Sequence, residues 1–81
     1  MELKDTVTLM ESEDFKDRFR AEYYQVKIRL EKLNAMLEKY KAGTLPFKPE
    51  CPYELLKAQV VSMEDYKFRL EKRAEIEGIE L

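Results

Sequence analysis

Seven side chains in the first third of this chain are of types that grip a flat anion: Phe15, Arg18, Phe19, Arg20, Tyr23, Tyr24 and Lys27. Aromatic rings stack on a planar base, and guanidinium or ammonium groups meet phosphates through charge-assisted hydrogen bonds. Phe15, Phe19 and Tyr23 also fall on an apolar seam, where rings ordinarily serve as core. Tyr24 and the basic residues lie off that seam and are freer to hold a ligand. An antiparallel neighbouring helix brings Lys27 and Arg29 level with Lys67 and Arg69, and Arg73 level with Tyr23. The result is a basic belt across two helices, suited to an anion. The plainer reading is a solvated face, because Lys27/Glu31 and Lys67/Glu71 are spaced four apart for intrahelical pairing. The candidate ligand-binding set is therefore Arg18, Arg20, Tyr24, Lys27, Arg69 and Arg73.

Other chemistries find no footing. The chain has no histidine and one cysteine, Cys51, which excludes an intramolecular disulfide and a Cys/His zinc site. Cys51 lies between prolines with no histidine to activate it, so a capping or packing role is expected. Carboxylate pairs such as Glu13/Asp14 and Glu64/Asp65 fall on exposed-looking helix surface with no pocket to shift a pKa. No catalytic residue, metal or cofactor is expected, and the chain does not read as an enzyme. Charged residues make up 40% of the chain but nearly cancel, leaving a net charge of −2, which disfavours a nucleic-acid binder working by phosphate neutralisation. No apolar run approaches the roughly 20 residues of a membrane span. Two glycines are too few for a phosphate-cradling loop. A soluble, cytoplasmic protein is expected.

The elements that carry these residues follow from periodicity. Phe19, Tyr23, Val26, Leu30, Leu33, Leu37 and Tyr40 alternate steps of four and three, predicting one long amphipathic helix over residues 12–42. Ser12 offers a cap, Glu13 and Asp14 suit the positive end of the dipole, and Gly43 offers a left-handed stop. Pro46 and Pro49 hold residues 43–51 extended, with Leu45 and Phe47 expected to plug the hairpin end. A second helix is predicted over 52–77, with the stripe Leu55, Leu56, Val60, Met63, Tyr66, Leu70 and Ala74. Gly78 ends it, and Ile79 is placed for the contact that accompanies such a cap. Residues 1–11 carry Leu3, Val7 and Met10 at helical spacing, too short a stripe to stand alone.

The fold class is accordingly all-α, a single domain over 1–81: an antiparallel hairpin of two long helices with a short N-terminal segment and a tail at 78–81. With Tyr40 beside Leu56, the N-terminal segment overhangs the open end and must fold back or reach another subunit. Tyr24, Ile28, Met36 and Leu55 lie off the main seam and form a second apolar surface. At this size a single core is marginal, so a homo-oligomer using that surface is expected.

Several strings resemble a family of small helical proteins of crAss-like and other gut bacteriophages and prophages. They are Asp14-Phe15-Lys16-Asp17-Arg18-Phe19-Arg20-Ala21-Glu22-Tyr23, Ala42-Gly43-Thr44-Leu45, Pro49, Cys51, Glu54-Leu55-Leu56, and Arg73-Ala74-Glu75-Ile76-Glu77-Gly78-Ile79-Glu80-Leu81. The likeness runs from about Ser12 to Leu81 and implies a mobile-element origin rather than an activity. Phe15 stands where that family's pattern has Tyr, removing a hydroxyl from any ligand role there. More loosely, a short N-terminal segment before a helical hairpin is similar to phage anti-CBASS sponges, which sequester cyclic nucleotide signals at subunit interfaces. That likeness is architectural and transfers no site residue. It implies a counter-defence protein that sequesters a small anionic cyclic nucleotide in the infected host cell. The alternative is a protein–protein inhibitor or interaction module, anti-CRISPR-like or a phage regulator, that grips a host protein.

Overall fold

The computed structural model describes residues Met1–Leu81 and is helical throughout, without strands. A 3₁₀ turn, Leu3–Thr6, runs into a single α-helical turn, α1 (Val7–Met10). Two long helices follow, α2 (Phe15–Ala42) and α3 (Tyr53–Glu77), packed as a hairpin in a body of 43 × 24 × 17 Å.

Helix α2 starts three residues later than Ser12 because Asp14 takes the cap. Its extended backbone (φ −79°, ψ 120°) lets its carboxylate accept from the Lys16 amide at 2.9 Å. Ser12 instead organises the approach: its hydroxyl accepts from the Asp14 amide at 3.1 Å and donates to Asp17 at 2.8 Å. Both long helices stop at a left-handed glycine, Gly43 (φ 75°) and Gly78 (φ 68°), a conformation that L side chains resist. Beyond Gly78, the Ile79 amide reaches back to the Ala74 carbonyl at 2.9 Å, and its side chain is buried.

The seam of α2 packs on α3 in two clusters. Towards the open end, Phe19, Tyr23 and Val26 meet Leu70, Ala74 and Ile79, with Tyr24 against their edge. Towards the connector, Leu30 and Leu37 meet Val60, flanked by Leu33, Met36, Tyr53, Leu56 and Met63. Tyr40 stacks on Tyr53 with ring centroids 5.5 Å apart, so the helices pair three residues away from the register that sets Tyr40 beside Leu56. That stack closes the hairpin end. Leu45 of the connector is half-buried, whereas Phe47, expected in the plug, stays exposed.

The N-terminal segment folds back along α2. The stripe Leu3, Val7, Met10 is not the face it buries: Val7 and Met10 are exposed, and Thr6 is the fully buried residue. A 3₁₀ turn advances about 120° per residue, which eclipses Leu3 and Thr6 and rotates Val7 outward. The Thr6 hydroxyl donates to the Leu3 carbonyl at 2.7 Å and accepts from the Gln25 amide at 2.9 Å. Ala21 and Ile28, one turn to either side of Gln25, are buried on this face. The second apolar surface expected between subunits is therefore largely used inside the chain. Ile28 is buried, Tyr24 and Met36 are half-buried against the two clusters, and Leu55 alone of the four is exposed.

This packing separates core from surface sharply enough to test. Leu70→Ala, at a site 1% exposed, should cost about 2–5 kcal/mol in urea unfolding. Phe47→Ala, at a site 57% exposed, should stay within about 0.5 kcal/mol of the parent.

Candidate functional site

The side chains that tie α2 to α3 meet about a third of the way along α2, one turn beyond Phe19. Tyr23 lies on the seam with its ring buried and its hydroxyl at the edge, where it donates to Glu71 of α3 at 2.7 Å. Lys67, one turn before Glu71, reaches the same carboxylate at 3.2 Å, and its ammonium stands 6.0 Å from the Tyr23 ring centroid. Burial, and then the hydrogen bond to the Glu71 carboxylate, push Tyr23 up from 10.0 to about 12. Glu71 is held below its ordinary value, first by the Tyr23 hydroxyl and then by Lys67, with Lys27 adding a nearby positive charge. Of the two intrahelical pairs anticipated for this belt, Lys67–Glu71 forms and Lys27–Glu31 does not. Nearby, the Tyr66 hydroxyl donates to Glu22, a second tie between the helices.

The six candidate ligand residues are spread along this region rather than gathered round one cavity. Tyr24 packs edge-on against Tyr23 at 5.3 Å, half-buried. Lys27 is half-buried one turn on, close enough for its charge to act on Glu71. Arg18 donates to the Ser12 carbonyl at 2.7 Å. Arg20 donates to the Glu80 carbonyl at 2.6 Å and to Asp17 at 3.0 Å, fastening the C-terminal tail to α2. Arg73 covers the Phe19 ring at 4.9 Å and pairs with Glu77 at 3.2 Å. Arg69 faces solvent on α3 and pairs with Asp65 at 3.6 Å. Each arginine thus already holds a protein oxygen, and Lys27 is the cation of the set without one. The acidic partners also neutralise much of the belt's positive charge.

The one cleft in the molecule lies elsewhere, beside the connector. About 150 Å³ in volume, it is lined by Asn34, Leu37, Glu38 and Lys41 of α2 and by Tyr53 and Lys57 of α3. It offers two ammonium groups, a side-chain amide and a phenol ring beside the Glu38 carboxylate. The sequence signal for it was present: Asn34, Leu37 and Lys41 share one face of α2, as Tyr53 and Lys57 share one face of α3. The packing of Leu37 with Val60 and the stack of Tyr40 on Tyr53 bring those faces together. Cys51 is exposed and free.

The model of one known family, Sequestin, matches residues 13–76, from the approach to α2 almost to the end of α3. The chain belongs to the Sequestin family, whose name denotes a sequestering role. No curated protein and no solved structure matches it. No helix is long and apolar enough to cross a membrane.

The Tyr23–Glu71 bond has a pH signature. A tyrosine whose folded pKa lies above its unfolded value contributes stability below the unfolded pKa. That contribution is lost as pH rises from 10.0 towards about 12. Unfolding midpoints measured across that window should fall less steeply for Tyr23→Phe than for the parent. A depressed Glu71 works in the opposite direction, contributing stability above its unfolded pKa of 4.5 that is lost as pH falls through its lower folded value.

Proposed function

We propose that this Sequestin-family chain is a non-enzymatic phage counter-defence protein. It binds a small anionic immune signal, a cyclic nucleotide, in the cytoplasm of an infected bacterium and withholds it from its receptor. The observation that carries this reading is the family match, which spans both long helices and names a sequestering role. Sequestration needs affinity and abundance and no bond-making step, and the side chains on offer suit it. Tyr24 provides a ring for a base, and Lys27 an ammonium for a phosphate. Arg18, Arg20, Arg69 and Arg73 complete the set by exchanging their present partners for phosphate oxygens. The pairs of Arg69 with Asp65 and Arg73 with Glu77 lie at the surface, where an ion pair contributes about 0–1 kcal/mol, so the singly charged phosphodiester groups of a cyclic nucleotide can replace those carboxylates at little cost. A homo-oligomer is part of this reading, since a second copy multiplies the charges that surround one ligand.

The interaction-module reading needs an exposed apolar helix face, and of Tyr24, Ile28, Met36 and Leu55 only Leu55 is exposed. Ile28 is buried, and Tyr24 and Met36 are half-buried within the chain.

Titration calorimetry against a panel of cyclic di- and trinucleotides tests the proposal. A member of the panel should bind, and Lys27→Ala should weaken it by about 1.5–3 kcal/mol, or roughly 10- to 150-fold. A Lys41→Ala, Lys57→Ala double variant serves as the internal comparison. If that variant abolishes binding while Lys27→Ala leaves it intact, the ligand sits in the connector cleft and not on the belt. Folded protein that binds no member of the panel would remove the ligand reading.

A further inference from the structure

Helix α2 is covered on two sides, by α3 and by the N-terminal segment, but α3 is covered on one. Its outer side carries Val61, Phe68 and Ile76, which are 58%, 52% and 86% exposed. Spaced seven and eight residues apart, they fall on a single line along the helix, with Asp65 and Lys72 between them. Single exposed apolar residues are ordinary, but an aligned row of three on a protein this small is a surface that gains from a partner.

The order of the row identifies the partner. From the N-terminal end it reads Val61, Asp65, Phe68, Lys72, Ile76. Reversed and laid on itself about a point between Phe68 and Arg69, Val61 meets Ile76, Asp65 meets Lys72, and the two Phe68 rings flank the axis. Every apolar residue faces an apolar one and every charge its opposite, the self-complementarity that a two-fold contact requires. In the single chain, Asp65 and Lys72 make only exposed pairs along their own helix, with Arg69 at 3.6 Å and Glu75 at 3.5 Å. Lys72 lies over the Phe68 ring at 5.5 Å, so the charged and apolar members of the row already touch. Glu64 and Glu75 border the row, which makes the face unsuited to an anionic lipid surface.

We propose that the outer face of α3 is a homodimer interface: two copies pair antiparallel through Val61, Phe68 and Ile76, with Asp65 of each opposite Lys72 of the other. This names the contact for the oligomer in the reading above. It is tested without nucleotide, so its failure and that of the ligand reading are separate results.

Sedimentation equilibrium on the full chain should show a dimer at micromolar concentration. Phe68→Glu places two like charges at the axis and should raise the dimer dissociation constant about thirtyfold or more, with an unchanged helical circular dichroism spectrum. Asp65→Lys alone sets lysine against lysine at two symmetric points and should weaken the dimer about tenfold. Adding Lys72→Asp to it should restore the dimer, because the exchanged charges again oppose each other. A wild-type chain monomeric at tens of micromolar would overturn the proposal. So would a dimer indifferent to Phe68→Glu, or a double charge exchange no tighter than Asp65→Lys alone.

Discussion

A helix of 28 residues packed against a single neighbour leaves much of its circumference in water, and α2 has more apolar surface than one neighbour can cover. Its seam residues Phe19, Tyr23, Val26, Leu30 and Leu37 face α3, while Ala21 and Ile28 point elsewhere and are buried nonetheless. What buries them is the N-terminal segment, seated by the Thr6–Gln25 hydrogen bond and kept in phase by its 3₁₀ turn. The covering of α2 on two sides is the constraint from which the rest follows. It makes α2 the centre of a three-layer stack, takes up the surface that had looked available for other subunits, and leaves α3 as the only long element with a free side.

The same economy governs the charged residues near the open end. A two-helix hairpin is prone to fray where its chain ends, and here the cations act as ties. Arg20 holds the Glu80 carbonyl, Lys16 reaches the Gly78 carbonyl at 3.4 Å, and Arg73 lies over Phe19. The two carbonyl contacts place positive charge at the negative ends of backbone dipoles, where it is favoured, and the third sets a cation on an aromatic face. A ligand phosphate that recruits Arg20 must therefore displace a carbonyl that anchors the tail. Binding and tail order are coupled for that residue, and less so for Lys27, which holds no such contact.

Much of this was legible in the chain. The four–three spacing from Phe19 to Leu37 specified the seam of α2, and Gly43 for α2 and Gly78 with Ile79 for α3 marked the helix stops through local rules of backbone geometry. The failures were failures of phase and register. Val7 and Met10 were expected to face inward because an α-helical advance was assumed over residues that make a 3₁₀ turn instead. Tyr40 was set beside Leu56 because nothing local reveals that its ring stacks on Tyr53. The site suffered from the same limit. Spacing identified Arg20 as a cation off the seam, but its partner at Glu80 lies 60 residues away. Whether a cation is free or already bonded is a tertiary fact, invisible to periodicity.

In the proposed dimer, assembly and the proposed ligand binding would meet at Arg69. It sits beside Phe68 on the flank of the outer row of α3, and in the antiparallel pairing the two copies bring their Arg69 side chains to the same side of the axis. Each is tied to an Asp65 that, in the dimer, also faces the partner's Lys72. The two guanidinium groups then share one flank, each beside its own Asp65 carboxylate, while each Lys72 keeps Glu75 at 3.5 Å, so the charges at the contact balance within a chain whose net charge is −2. An anion lying between the two arginines of the proposed dimer would favour the pairing. A two-fold anion with phosphates on either side of its own centre has the symmetry to do so, and by linkage would tighten the dimer by the same factor that the dimer tightens its binding.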